Sequence, residues 1–172
     1  MAFIRTKKIK GNKYVYLAEN KWMKRGKRVK QISRKYLGRL FRLEKEQDID
    51  FFSFHKIDDK GEYFDKYREE IIYDVIKWEL YRHGFLKIRN IWKKDDIYVN
   101  LRLKQVLSER GKAALGMNEG FLTGYTMSRL IRYKAYIEED AYELAKLFVE
   151  AGLDVPKPVF VAVFSKYDIR EE

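Results

Sequence analysis

The sequence predicts an α+β protein: an N-terminal three-stranded antiparallel β-meander, residues 1–45, followed by a domain ordered α-β-β-α-α-β over residues 62–172. Three observations predict it. Residues 1–42 fall into short runs separated by glycine turns, residues 62–83 repeat apolar side chains at helical spacing, and residues 159–164 form a continuous apolar run of strand length. Charge divides along the same line. The first 42 residues hold 15 Lys/Arg and one acid, Glu19, a local charge of +14, whereas the rest hold 22 Lys/Arg and 25 Asp/Glu, a charge of −3. The net +11 therefore comes from one end of the chain, and a polyanion is the partner expected there.

The elements follow in order. Phe3–Lys10 reads as a first strand, with Gly11-Asn12 as a tight hairpin turn because that dipeptide tolerates positive φ. Lys13–Trp22 is the second strand, and Met23–Lys27 turns at Gly26. Arg28–Leu37 is the third, ended by Gly38, with a short basic helix or turn over Arg39–Lys45. Residues 46–61 are the expected boundary: the Phe51-Phe52-Ser53-Phe54 cluster is either a buried strand or the seam between two modules, and Asp58-Asp59-Lys60-Gly61 is a turn.

Glu62–His83 reads as one helix, since Phe64, Tyr67, Ile71, Val75 and Trp78 recur on one stripe and Gly84 sits where a helix-ending glycine belongs. Phe85–Trp92 and Ile97–Leu103 read as strands around Lys93-Lys94-Asp95-Asp96. Lys104–Leu115 is ambiguous and includes a helix broken at Gly111 among its readings. Asn118 is placed as N-cap of a helix over Glu119–Lys134, which Gly120 and Gly124 weaken by about 1 kcal/mol each. Glu138–Ala151 is the last helix, with an acidic first turn and Gly152 at its end. Pro156 and Pro158 stop helix continuation, and Val159–Phe164 is read as a central strand.

The totals exclude several classes. The chain has no cysteine and only His55 and His83, so neither disulfides nor thiolate or histidine-rich metal sites can be built from it. No apolar run reaches the roughly 18–20 residues that cross a bilayer, and residues 1–13 lack the apolar core of a secretion signal, so no membrane partner and a cytoplasmic location are expected. The wealth of Lys, Glu, Tyr and Ile, with little Gln or Thr, matches the bias of proteins from hot-living organisms. No phosphate-binding glycine loop, Ser-His-Asp set or nucleotide fingerprint is present, and no cofactor is expected.

The basic segment carries the functional expectation. Alternation along the third strand puts Arg28, Lys30 and Arg34 on one face around Ile32, with Val29, Gln31, Ser33 and Lys35 opposite. On the second strand Tyr14 and Tyr16 share one face, Val15 and Leu17 the other. A ribbon of this kind fits the major groove of duplex DNA, its cations release counterions from phosphates, and Arg and Gln have the donors that read base edges. The interspersed aromatics Tyr14, Tyr16, Trp22 and Tyr36 equally suit stacking on unpaired bases. The candidate contacts are Lys13, Arg25, Lys27, Arg28, Lys30, Gln31, Arg34 and Lys35.

The stretch from Lys13 to Leu40 also has a family likeness. Lys13-Tyr14-Val15-Tyr16-Leu17-Ala18-Glu19-Asn20, then Arg25-Gly26-Lys27-Arg28-Val29-Lys30-Gln31, then Lys35-Tyr36-Leu37-Gly38 resembles the N-terminal segment of certain insertion-sequence transposases. The resemblance implies DNA binding and a mobile-element or plasmid setting. Members of that family continue into a catalytic domain with an Asp…Asp…Glu triad; this chain shows no strand-borne triad, so transposition is not implied.

The expected function is thus duplex-DNA binding by a basic β-module, with the remainder as scaffold and a homodimer as a possible assembly, since a two-fold matches palindromic sites. Binding is favoured over catalysis. Two alternatives stay open: a metal-dependent nuclease or truncated transposase-like enzyme, and an RNA-binding module. For the nuclease, Asp58-Asp59, Asp95-Asp96 and Glu138-Glu139-Asp140 are the available acids, but turn and helix-start roles account for them better. His83 is read as a helix C-terminal cap and His55 as a packing residue.

Overall fold

The computed structural model describes residues 1–167. Helices and strands are mixed in one chain, with nine strands in a single mixed sheet and six helices among the described residues. The meander stands as expected: β1 (Ala2–Ile9), β2 (Asn12–Met23) and β3 (Arg28–Arg42) pair antiparallel. Its first turn is Lys10-Gly11 rather than Gly11-Asn12; both turn residues have positive φ, and Ile9 pairs with Asn12. β3 does not stop at Gly38, and residues 39–42 are strand rather than helix or turn. Gly38 adopts a φ of 152° and lets β3 pass against the backbone of Ala113, where a Cβ would lie 2.5 Å from a carbonyl carbon. Beyond it, Arg39–Arg42 pair in parallel with β8 (Gly111–Met117), so the meander joins the sheet of the rest of the chain.

The boundary region folds as helix. α1 (Phe51–Phe54) is capped by Asp50, whose carboxylate accepts from the N–H groups of Phe52 and Ser53, and Asp59 caps α2 (Lys60–Phe64) in the same way. The long helix expected over residues 62–83 is broken: α3 runs Arg68–Arg82, and Tyr67 before it is extended, its N–H donated to the Glu70 carboxylate 3.0 Å away. A Glu three residues into a helix marks a start, and here that signal outweighs the apolar stripe running through it.

The largest departures lie beyond α3. The two strands expected over residues 85–103 are three, β4 (Leu86–Ile88), β5 (Ile91–Lys94) and β6 (Ile97–Asn100), with an extra reversal at Arg89-Asn90. The ambiguous stretch after them is a hairpin, β7 (Gln105–Ser108) and β8, closed by Glu109-Arg110. Asn118 is no helix cap; it occupies the left-handed region in the turn to β9 (Gly120–Leu122), and the helix α4 starts later, Gly124–Arg132, capped by Thr123. Helix α5 (Asp140–Glu150) is as expected. The apolar run expected as a central strand is helix α6 (Lys157–Phe164): Pro158 sits in the first turn, where no N–H is missed, and Val159, Ala162 and Val163 recur at helical spacing on the buried side. Among the described residues from 62 on, the expected α-β-β-α-α-β order is therefore replaced by the end of α2, then α3, six strands and three helices.

Two apolar clusters result. The main one joins α1, α3, α5 and α6 to the sheet through Phe51, Ile72, Ile76, Leu115, Leu122, Phe148 and Val163. A smaller one, Val15, Leu37 and Ala114 with Ile4, Leu17, Phe121 and Tyr125 around it, fixes the meander against β8, β9 and α4. Both histidines are structural. His83 ends α3 and donates from Nδ1 to the Glu79 carbonyl, 2.7 Å away; His55 touches Phe51 and Phe54 and lies 2.9 Å from the Asp74 carbonyl.

Candidate nucleic-acid interface

β2 and β3 are longer than β1, and this inequality makes the site. β1 covers β2 only as far as Glu19, its partner at Ala2. Beyond that, Asn20–Met23 and Arg28–Gln31 pair with each other alone, closed by the turn at residues 24–27. The result is a two-stranded arm standing off the sheet for about 13 Å, four residues at roughly 3.3 Å each. It carries Lys21, Lys24, Arg25, Lys27, Arg28 and Lys30 and no acid. Lys21 lies directly opposite Lys30. Like charges in cross-strand register cost stability, so this pairing works against the fold of the arm itself.

Strand register assigns the faces. One face of β2–β3 runs Val15, Leu17, Glu19, Lys21 and Met23 along β2, against Gly38, Lys35, Ile32, Lys30 and Arg28. Its inner part packs in the small apolar cluster, and its outer part is the cationic face of the arm. The other face pairs Tyr14 with Arg39, Tyr16 with Tyr36, Asn20 with Gln31 and Trp22 with Val29. Near the body this second face holds a tyrosine group, with Tyr36 ring centroids 5.4 Å from Tyr16 and 6.3 Å from Tyr14. Burial first, then the neighbouring Tyr16 and Tyr14, hold the Tyr36 phenol above its usual range. Lys7 reaches over the Tyr16 ring and donates to the Ser33 hydroxyl. At the tip the same face exposes Trp22 and Val29, each 59% accessible.

Two bulges separate body from arm. β3 carries one extra residue against β2 at Leu37 and another at Arg34. Leu37 turns inward and is buried; Arg34 meets Glu19, its Nε 2.6 Å from the carboxylate. The Arg34 guanidinium holds the Glu19 carboxyl below its usual range, so this pair is charged and largely self-satisfied at neutral pH.

All eight residues singled out from the sequence are exposed. The structure gathers Arg25, Lys27, Arg28, Lys30 and Gln31 on the arm. Arg34 sits at its base in the ion pair, and Lys35 turns back to place its ammonium 5.5 Å from the Tyr125 ring centroid. Lys13 is at the opposite end of β2 beside Lys8, about 33 Å from Met23 at ten residues of strand, and is not part of the group. Lys21 and Lys24 belong with the arm but were not singled out; their signal was the length of the second strand past the end of the first.

A second basic surface adjoins the base of the arm. A cleft of about 660 Å³ is lined by Lys35, Tyr36 and Leu37 from β3, residues 103–107 on and before β7, Lys112 of β8, and one face of α4 followed by Tyr133. Among its lining residues are five cations, Lys35, Lys104, Lys112, Arg129 and Arg132, and no carboxylate. Gly124 makes the wall possible, because a Cβ there would lie 2.6 Å from the Lys104 carbonyl oxygen. Lys104 and Lys112 could not be placed from the sequence because their stretch was not read as a hairpin.

Of the acids weighed as metal ligands, two carboxylates are engaged by backbone N–H groups and a third residue forms a turn. Asp59 caps α2, Asp95 is a left-handed turn residue, and Asp140 accepts from the N–H groups of Tyr136 and Ile137. Among the described residues no group of three or more His, Asp or Glu side chains is arranged to hold a metal ion, and no helix is long and apolar enough to cross a membrane. Comparison with protein-family models, curated proteins and solved structures finds no match to this chain.

Proposed function

We propose that the protein binds nucleic acid, with the β2–β3 arm as its gripping element and duplex DNA as its favoured partner. One observation supports this most: six cations stand on a ribbon with no acid of its own, two of them directly opposed across the strands. A polyanion relieves that repulsion, and counterion release from its phosphates supplies the affinity. A two-stranded ribbon is of a size to enter the major groove, where Gln31 and Arg28 have donors for base edges. The likeness of residues 13–40 to the N-terminal segment of insertion-sequence transposases points the same way, and a mobile-element or plasmid setting is part of the proposal. The exposed Trp22 favours a role at the tip, against a groove wall or an unstacked base step.

The test removes the arm and keeps the body. Excising residues 21–30 and joining Asn20 to Gln31 through Asn-Gly closes the hairpin at an existing cross-strand pair. The shortened protein should keep its helical and strand circular-dichroism signal and lose retardation of duplex DNA. Full retention of duplex binding would overturn the assignment. The same gels, run with Mg²⁺ and with single-stranded DNA and RNA as competitors, distinguish the alternatives: cleavage would mark a nuclease, and preference for RNA would change the partner.

A further inference from the structure

The cleft beside α4 has a chemistry distinct from that of the arm. Its volume of about 660 Å³ lies within the range of small-molecule sites and equals some twenty waters at roughly 30 Å³ each, far more than an inorganic phosphate fills. Its cations are concentrated on one side of the chemistry: five positive charges and no negative one among the lining residues. Arg129 is engaged by Glu150, its Nη1 2.8 Å from the carboxylate. Lys104, Lys112 and Arg132 form no ion pair with any described residue. Lys35 and Arg129 both approach the Tyr125 ring, at 5.5 and 5.6 Å from its centroid, which holds their charge beside an aromatic surface. Tyr36 and Tyr133 add further rings, and Leu37, Val106 and Leu107 an apolar floor.

We propose that this cleft is a nucleotide site: Lys104, Lys112 and Arg132 take the phosphate, and the tyrosines take an unpaired base. The ligand must combine an anion with a flat ring, because the lining offers both surfaces within one cavity. Free mononucleotide and a single nucleotide of a bound strand share this chemistry. Tyr36 belongs both to the lining of the cleft and to the tyrosine group on the outer face of the meander, so the two surfaces adjoin. The site stands on its own residues and does not require the arm to bind DNA.

The experiment uses the full chain with adenosine monophosphate, inorganic phosphate, a single-stranded oligonucleotide and a DNA duplex as separate probes, followed by calorimetry and tyrosine NMR. Ser128→Trp plugs the cleft without changing charge, since Ser128 is half-buried in its lining. Arg132→Gln is the companion variant, on an exposed residue that forms no ion pair with any described residue. Adenosine monophosphate should bind at least about tenfold more tightly than phosphate, and each variant should lose about tenfold or more of that affinity. If the source is a strand, both variants also weaken the single-stranded oligonucleotide and leave the duplex unchanged; if it is a free nucleotide, the oligonucleotide is indifferent to them. Phosphate binding as well as the nucleotide, or nucleotide affinity unmoved in a folded Arg132→Gln protein, overturns the assignment. Failure of the arm excision to affect DNA binding leaves this result untouched, so the two readings fail separately.

Discussion

The same two strands behave oppositely at their two ends. At the body end of β2 and β3, Val15 and Leu37 are 0% and 4% accessible and pack on Ala114. At the tip, Trp22 and Val29 are 59% accessible and touch no core. Backbone pairing is continuous between them, interrupted only by the bulges at Arg34 and Leu37. The difference teaches that pairing alone does not decide stability here. The inner end is held by buried apolar area, while the outer end is a hairpin burdened by like charges and supported by little else. The proposed polyanion would supply at the tip the stabilisation that buried area supplies at the body.

The contrast can be broken from the body side. Leu115→Ala, at a fully buried position in β8, should cost about 2–5 kcal/mol in denaturant unfolding, whereas Trp22→Ala should stay within about 0.5 kcal/mol. Comparable losses at the two positions would show the arm to be packed after all. The junction comes next: Gly38→Ala forces a Cβ into the Ala113 backbone and should cost about 1–3 kcal/mol, with amide exchange in β3 accelerating before that in β6. Uniform protection in both strands would contradict a junction specific to the meander.

A smaller effect concerns pH and belongs wholly to the body. Burial, opposed by Asp74, holds the His55 imidazole below its ordinary value of about 6.5. As pH falls through 6.5, the unfolded chain takes up a proton that the folded imidazole refuses, so the folded state loses stability down to the depressed folded value. Unfolding midpoints should fall as pH drops below about 7, and His55→Gln should flatten that fall. An unchanged slope in the variant would remove His55 from the account.

What the sequence showed depended on how local the signal was. The meander was legible because alternation and the turns at Gly11 and Gly26 are short-range features. The length of β3 was not, because Arg39–Arg42 become strand only through parallel pairing with β8, more than seventy residues away. Residues 105–117 concealed a hairpin for the same reason: Ala113, Ala114 and Leu115 read as helix formers until strand neighbours claim them. Val159–Phe164 illustrates the converse error. A run of valine and phenylalanine suits a strand, but Pro158 in a first turn and burial at 159, 162 and 163 make it a helix. Of the candidate site, charge and exposure were visible in composition. The split of Lys13 from the rest, the Arg34–Glu19 pair and the cleft were not, since each needs the register of β2 on β3 or the position of α4.

The central claim is tested most directly by the salt dependence of duplex-DNA affinity in the wild-type protein and in a triple Lys27→Gln, Arg28→Gln, Lys30→Gln variant, with Arg34→Gln alongside. Each phosphate contact contributes about 0.9 to the slope of log K against log salt, so the triple variant should flatten it by nearly three units. Arg34→Gln should change it by much less, because Glu19 already holds that guanidinium. An unaltered slope in the triple variant, with the fold intact, would contradict the arm as the element that meets the polyanion.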